Sequence, residues 1–347
     1  MMKVRFRHLD PRGNIVFCNL DESDKRAISV ISTASQRLEG FARGGHITNR
    51  VGETFVFTKD PDLVKSSKKF KFFCETLAEM VGIFIESQSD YLDDLTANTN
   101  RLIHNLTTLN AHNLQNIYSV LPQEKLARSL GKSFEVFRSA VIEQPDEVAR
   151  LLRNLTKNAV STKTEFSVYQ KLFEKKPSLQ QRVHNVHKVL MNILYVFFPD
   201  FTDKRVKVNI ECVGTVTAFF DYESIQVVFH HLIENAAKYV LNERPLAVAI
   251  SSTEFGADIV FRMFSMKVDP EECESIFTEG FSGKYPSISG KAGRGIGLDI
   301  ARRLVELNHG MITFRSDPDS EEEHFGFPYQ INEFCVSLPN RQNRRQM

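Results

Sequence analysis

Two stretches in the last third of the chain carry residue types that handle charged ligands. The first is HHLIENAAKYV, His230 to Val240. On a helix, His231 and Asn235 are four residues apart and Asn235 and Lys238 three apart, so all three share one face. An amide oxygen and an ammonium on one face can serve a metal ion and a phosphate. The same triplet could equally be a solvated helix surface. The second stretch is SGKAGRGIGLDIARRL, Ser289 to Leu304. Gly293, Gly295 and Gly297 lead into a helix, where glycine lets the backbone approach a phosphate and the helix start offers free N–H groups. Alone, such a helix entry could be only a flexible loop.

A chain of 347 residues has room for two or three domains. An apolar fraction of 42% allows a real core. Net charge is +1, which gives no reason to expect a nucleic-acid or acidic-membrane partner. No apolar run reaches the roughly 18 residues of a membrane span, and VLMNILYVFF is short and followed by Pro199. The N-terminus lacks the apolar core of a secretion signal. The five cysteines lie far apart with no CxxC pair, which suggests neither a zinc site nor a disulfide framework. A reduced, cytoplasmic protein is the simplest expectation.

The elements that must position the two stretches fall into three regions. Residues 1–64 mix short β-like pieces (KVRFRHL, NIVFCNL, TFVFTK) with one helical piece, DKRAISVISTASQRLEGFA, as a small α/β or mostly β unit of unassigned role. Residues 65–176 are helical. Phe73, Leu77, Met80, Phe84, Tyr91, Leu95, Leu102, Leu106, Leu109, Ile117 and Val120 recur at heptad spacing, with Gln88, Asn98 and Asn113 as polar layers. After Pro145 a second stripe runs from Val148 through Leu152, Leu155 and Ala159 to Phe173. Two antiparallel heptad helices make half a four-helix bundle, and a second copy would supply the rest. Residues 177–347 alternate helices and antiparallel-type strands, as in an α/β sandwich with helices on one face of the sheet. The fold expected is therefore α+β. SLQQRVHNVHKVLMNILYVFF reads as one helix.

The first heptad helix contains two histidines, in RLIHNLTTLNAHNLQ. His104 is two positions from both Leu102 and Leu106, about 200° around the helix from the seam, and points outward. His112 lies closer to the seam and reads as packed. An exposed histidine with no role is the alternative for His104.

Taken together, the motifs resemble the histidine-kinase-like ATPase superfamily, and the helical hairpin resembles that of its sensor histidine kinase branch. ENAAKY is similar to the N box, IFTEGFSG to the F box and GRGIGL to the second glycine box. DYESIQVVFHHL resembles the Asp-led entry to the N-box helix, and FCVSLP the last strand. The resemblance covers roughly residues 65–340. It implies that Asn235 binds Mg²⁺ bridging the phosphates of ATP, that Lys238 reaches those phosphates and that Tyr239 lies near the adenine. Gly293, Arg294, Gly295, Gly297 and Leu298 would form the phosphate-side box, with Phe277 in the F box. His231 stands where the kinases usually carry Asn and the ATPases Glu. HNLTTLN resembles the phosphoacceptor pattern at His104 and Thr108, with Asn105 in place of the acid and Leu109 in place of Pro.

The first glycine box is missing. Counting back from PEECESIF, Met263 stands for the adenine-binding Asp, and Ser265 and Lys267 for the glycines. Leaving that donor unpaired costs about 1–3 kcal/mol, roughly five- to 150-fold in affinity, which weakens ATP binding without abolishing it. The resemblance implies a homodimer through residues 65–176 that autophosphorylates on His104 and passes the phosphate to an Asp of a response-regulator receiver domain. The alternatives are a non-catalytic pseudokinase or scaffold and a nucleotide-gated conformational switch.

Overall fold

The structure, a computed structural model, describes residues 4–128, 133–174 and 179–340. The chain forms two compact units, Met1–Ala97 and Asn98–Met347. The first contains β1 (Val4–Leu9), β2 (Ile15–Cys18), α1 (Glu22–Ile28), β3 (Gln36–Leu38), β4 (Ala42–Asn49), β5 (Gly52–Thr58) and α2 (Pro61–Lys65). Its five strands pair in the order β2-β1-β5-β4-β3, all antiparallel. The helix expected over residues 24–42 is short. It ends at Ile28, and the chain returns as β3 and β4. Gly45 lets β4 pack closely on the returning chain, because a Cβ there would come within 2.6 Å of the Ala34 carbonyl and 3.0 Å of the Phe70 ring.

The long helix α3 (Ser67–Val120) begins in this unit and ends in the second. In the first unit Phe70 and Cys74 are fully buried against Val56, while Met80 and Phe84 of the heptad stripe stay exposed. The side chains of Gln88, Tyr91 and Leu95 lie outside the described residues.

In the second unit α3 is followed by α4 (Gln123–Arg128), α5 (Ser133–Glu143) and α6 (Pro145–Val168), which runs into a π-helical turn, Tyr169–Phe173. Val120, Leu121, Ala140 and Leu151 form a small core between these helices. The Asn158 side chain donates to the Asn113 carboxamide oxygen at 2.8 Å, so the polar position on the first stripe meets a polar position on α6. Large apolar side chains remain exposed, including Ile103, Leu114, Phe137, Leu152 and Phe166.

The rest of the unit comprises β6 (Gln181–Asn185), α7 (Val186–Asp203), β7 (Val208–Cys212), β8 (Thr217–Asp221), α8 (Tyr222–Tyr239), β9 (Leu246–Ser252) and β10 (Gly256–Met266). It continues with α9 (Lys284–Ile288), α10 (Gly297–Leu307), β11 (Met311–His324) and β12 (Phe327–Pro339). The main sheet has the order β11-β12-β10-β9-β7. Its buried face, with Val248, Ile259, Phe261 and Val336, shares one core with α7, α8 and α10. The other face, with Asp258, Val260 and Arg262, is more exposed. This is the α+β arrangement that the sequence implies.

One expected helix is split. Residues 181–185 pair with β8 as a strand, and α7 starts only at Val186, capped by the Asn185 side chain accepting from Lys188 N. It then continues through Pro199 to Asp203. Phe197 and Phe201, both buried, hold the last turn in the core despite the hydrogen bond lost at the proline.

Asp221 caps α8, accepting from Ser224 N at 2.9 Å. It also accepts from Lys171 Nζ at 3.1 Å and Gln180 N at 2.7 Å. Burial opposes the Asp221 charge, but these donors outweigh it and hold the carboxyl below its ordinary value. That stability is present above the unfolded pKa and fades as pH falls through the lower folded one. Lys171 and Asp221 are 7% and 2% exposed at their side chains. Lys171→Met should therefore destabilise the unit by about 3 kcal/mol, the low end for breaking a buried pair because Ser224 N, Ser224 Oγ and Gln180 N still donate. Thermal unfolding at pH 7 checks it, and an unchanged midpoint would refute it.

Candidate nucleotide and phosphoacceptor site

The middle of α8 supplies the first wall of the site. The helix is long and apolar on the sheet side, with Ile225, Phe229, Leu232 and Ile233 buried, so its other face presents His231, Glu234, Asn235 and Lys238. These four line a cavity of about 450 Å³. The opposite wall is the glycine-rich entry to α10, with Gly293, Arg294, Gly295, Gly297 and Leu298. Tyr239 also lines the cavity, and its hydroxyl donates to the Lys291 carbonyl at 3.3 Å. Phe277 does not line it. It is buried and packs edge-on to Phe334, while Ile276 and Phe281 from the same segment form the wall.

Gly295 has φ +69°, and a Cβ there would collide with the Phe281 carbonyl. A Cβ at Gly293 would lie 3.1 Å from Lys238 Nζ, and one at Gly297 would lie 3.1 Å from His231 Nδ1. Glycine is required at 295, while a side chain at 293 or 297 would need Lys238 or His231 to yield by a few tenths of an ångström. An ammonium, an amide and a run of glycines at a helix start form a donor set that fits a phosphate chain and its hard cation. Burial lowers the Lys238 pKa, and Glu234 partly offsets this.

The floor lies under β10 and β12. Met263, 3% exposed, pairs across the ladder with Asn332. Asn332 Nδ2 donates to Ser265 Oγ at 2.9 Å and to the Met266 carbonyl at 2.8 Å. Gln330 Nε2 donates to Asn332 Oδ1 at 3.0 Å and to the Val268 carbonyl at 3.1 Å. Strand pairing continues through Met266, and Lys267 N donates to the Pro328 carbonyl at 3.0 Å. Where the resemblance implies glycines, this chain therefore keeps a regular ladder and a closed amide network. Asp269 pairs with Lys267 and Lys284, each at 3.5 Å, and does not line the cavity. Asn332 and Gln330 had no motif to flag them. The only hint was polar residues ahead of the apolar run FCVSLP.

α3 contributes Arg101, Asn105, Thr108, Leu109 and His112 to the same cavity wall. His104 itself is exposed and lies at the edge. One guanidinium nitrogen of Arg294 is 3.1 Å from His104 Nδ1, and the other donates to the Asn105 carboxamide oxygen. A guanidinium has donors only, so Nδ1 accepts and the neutral ring carries its proton on Nε2. Thr108 Oγ1 donates back to the His104 carbonyl at 2.9 Å. His112, expected near the seam, is exposed. Arg101 lies over the Phe173 ring at 4.8 Å and pairs with Glu279 at 3.3 Å.

His231 Nδ1 lies 3.8 Å from the Glu234 carboxylate. Partial loss of water works against the charge of Glu234, but the nearby His231 ring and neighbouring cations overcome it and hold the carboxyl at about 2. Burial pushes His230 down to about 4. Neither His230 nor Glu234 was singled out by the sequence motifs.

A helical layer covers a mixed five-stranded sheet, and a polar helix face opposes a glycine-rich helix entry. Residues 220–339 match the family described as histidine kinase-, DNA gyrase B- and HSP90-like ATPase. That match spans about a third of the chain, and the curated relatives similar to this chain are histidine-protein kinases. The chain is 20% identical over 176 residues to the signal transduction histidine-protein kinase ArlS of Staphylococcus aureus, covering 51% of this chain and 36% of that one. The chain thus spans about a third of the length of the curated relatives it matches. Among solved structures, the mycobacterial sensor histidine kinase MprB is 18% identical with TM-score 0.37, covering 46% of this chain and 99% of that one. Acinetobacter baumannii AdeS is 16% identical with TM-score 0.37, covering 69% and 98%. No helix among the described residues is long and apolar enough to cross a membrane.

Proposed function

We propose that this chain is an ATP-dependent histidine kinase that autophosphorylates on His104 and passes the phosphate to an Asp of a response-regulator receiver domain. The observation that carries the reading is the contact of Arg294, from the glycine-rich entry, with His104 at 3.1 Å beside the cavity. In this reading Asn235 holds Mg²⁺, Lys238 and the amides of Gly293, Gly295 and Gly297 hold the phosphates, and Tyr239 faces the adenine. Mg²⁺ would neutralise charge on the phosphate chain. Arg294 orients the His104 ring and must release Nδ1 before Nε2 can act as the nucleophile, with His231, across the same cavity wall, as candidate base. The exposed apolar residues of α3, α5 and α6 support a homodimer through residues 65–176. Met263 favours a second reading, a non-catalytic relative that binds a regulator through its bundle.

Because Arg294 and His104 belong to one chain, transfer is expected within a chain. Mixed dimers carrying His104→Ala in one copy and Asn235→Ala in the other should then give no label above the single variants on incubation with Mg²⁺ and γ-labelled ATP. Restored label would mean transfer between copies.

A further inference from the structure

We propose a second cation site in the wall of the cavity, built from His230, His231 and Glu234, for a borderline divalent ion such as Zn²⁺. One ligand atom from each of the three side chains lies within 4.8 Å of the others. His230 is 3% and His231 9% exposed, yet His230 Nδ1 and His231 Nε2 are buried without a hydrogen-bond partner among the described residues. Buried polar atoms are nearly always paired, so two orphaned ring nitrogens on consecutive residues call for an occupant.

The surroundings suit a metal ligand set. Ser161 Oγ of α6 lies 3.3 Å from His230 Nε2. By accepting that N–H it leaves the Nδ1 lone pair free, as an outer-shell partner does for a ligating histidine. Glu234 supplies the carboxylate, and its half-exposed side chain can turn to close the set. A tetrahedral ion with bonds near 2.0–2.1 Å needs ligand atoms about 3.3 Å apart, so closure requires movement of roughly an ångström. The three residues all line the cavity, which leaves a coordination position open to water or ligand. Among the neighbouring cations, Lys157 is engaged by both carboxylate oxygens of Asp200 at 2.9 Å, and Lys238 is held down in pKa by burial. Two imidazoles and a carboxylate select Zn²⁺, Co²⁺ or Ni²⁺ over Mg²⁺, which prefers oxygen. The site therefore differs in chemistry from the one assigned above to Asn235.

The test is Co²⁺ titration of the chelator-treated, untagged full chain, followed by visible ligand-field absorption, with Zn²⁺ as competitor. We expect one Co²⁺ per chain, displaced by Zn²⁺ and retained in Asn235→Ala. Ser161→Ala should weaken binding about 10–100-fold, and His231→Ala or Glu234→Gln should lose the band. Zn²⁺ should also raise the thermal midpoint of the wild type but not of Glu234→Gln, a half-exposed substitution that leaves the helix core intact. No band, or a band that survives both His231→Ala and Glu234→Gln, overturns the proposal. Both outcomes are read from metal binding alone, and the label assay reads His104 phosphorylation separately.

Discussion

His104→Ala is expected to abolish acid-labile, base-stable label while leaving ATP affinity within about twofold, because removing a nucleophile stops the transfer and not the binding. His104 lies at the cavity edge and does not line it, which separates its loss from loss of the nucleotide. The companion substitution sharpens the test. In the wild type, Asn105 offers a neutral oxygen that accepts from Arg294, and Arg294 also donates to His104 Nδ1. Asn105→Asp places a carboxylate beside the ring. It draws the guanidinium to itself and accepts a hydrogen bond from Nδ1–H, which favours the tautomer whose Nε2 is unprotonated. General-base help of this kind is worth roughly 10²–10⁴-fold, and the lower end is expected here because the residue also holds Arg294. Label that persists in His104→Ala would sink the assignment of the phosphoacceptor. An unchanged rate in Asn105→Asp would sink the tautomer argument.

The second large effect is a gain. Met263→Asp restores an acceptor at the buried floor of the cavity, where Met263 offers none. Recovering one buried hydrogen bond is worth about 1–3 kcal/mol, so ATP should bind roughly five to 150 times more tightly. The same variant should be less stable without nucleotide. Both donors of the neighbouring Asn332 amide are already committed, to Ser265 and the Met266 carbonyl. The new carboxylate would then be buried without a partner. Calorimetric titration with Mg-ATP, beside the thermal midpoint of the free variant, reads both. Tighter binding with a lower free midpoint fits the argument. A lower midpoint with no gain in affinity would mean that the base does not rest on this floor.

Much of this was legible in the residues, for physical reasons that differ by element. The heptad positions of α3 and α6 repeat over many turns, and α8 carries its polar triplet on one face, so local periodicity alone places them. The segment 178–198 misled because Gln181 to Asn185 is too short to show a period, and only pairing with β8 makes it a strand. The stretch after Ile28 failed for a similar reason. Its helix-compatible residues are overridden by the strand ladder to β4. In the site, residues on the α8 and α10 motifs were readable as a set. Asn332, Gln330 and Ser161 were not, because each owes its position to a partner more than 60 residues away or to a neighbour across a ladder. Phe277 shows the converse. It lies in a recognisable box, yet its side chain serves the core.

The π-helical turn at the end of α6 has a mechanical consequence. Phe173 lies in that turn with Arg101 of α3 on one side, 4.8 Å from its ring centre, and Arg303 of α10 at 5.2 Å. A hydrogen bond between those helices would fail within a modest change of angle. A cation over a ring face keeps most of its attraction as it slides and turns. Phe173 thus joins three elements through one ring: the turn that ends α6, α3 through Arg101 and α10 through Arg303.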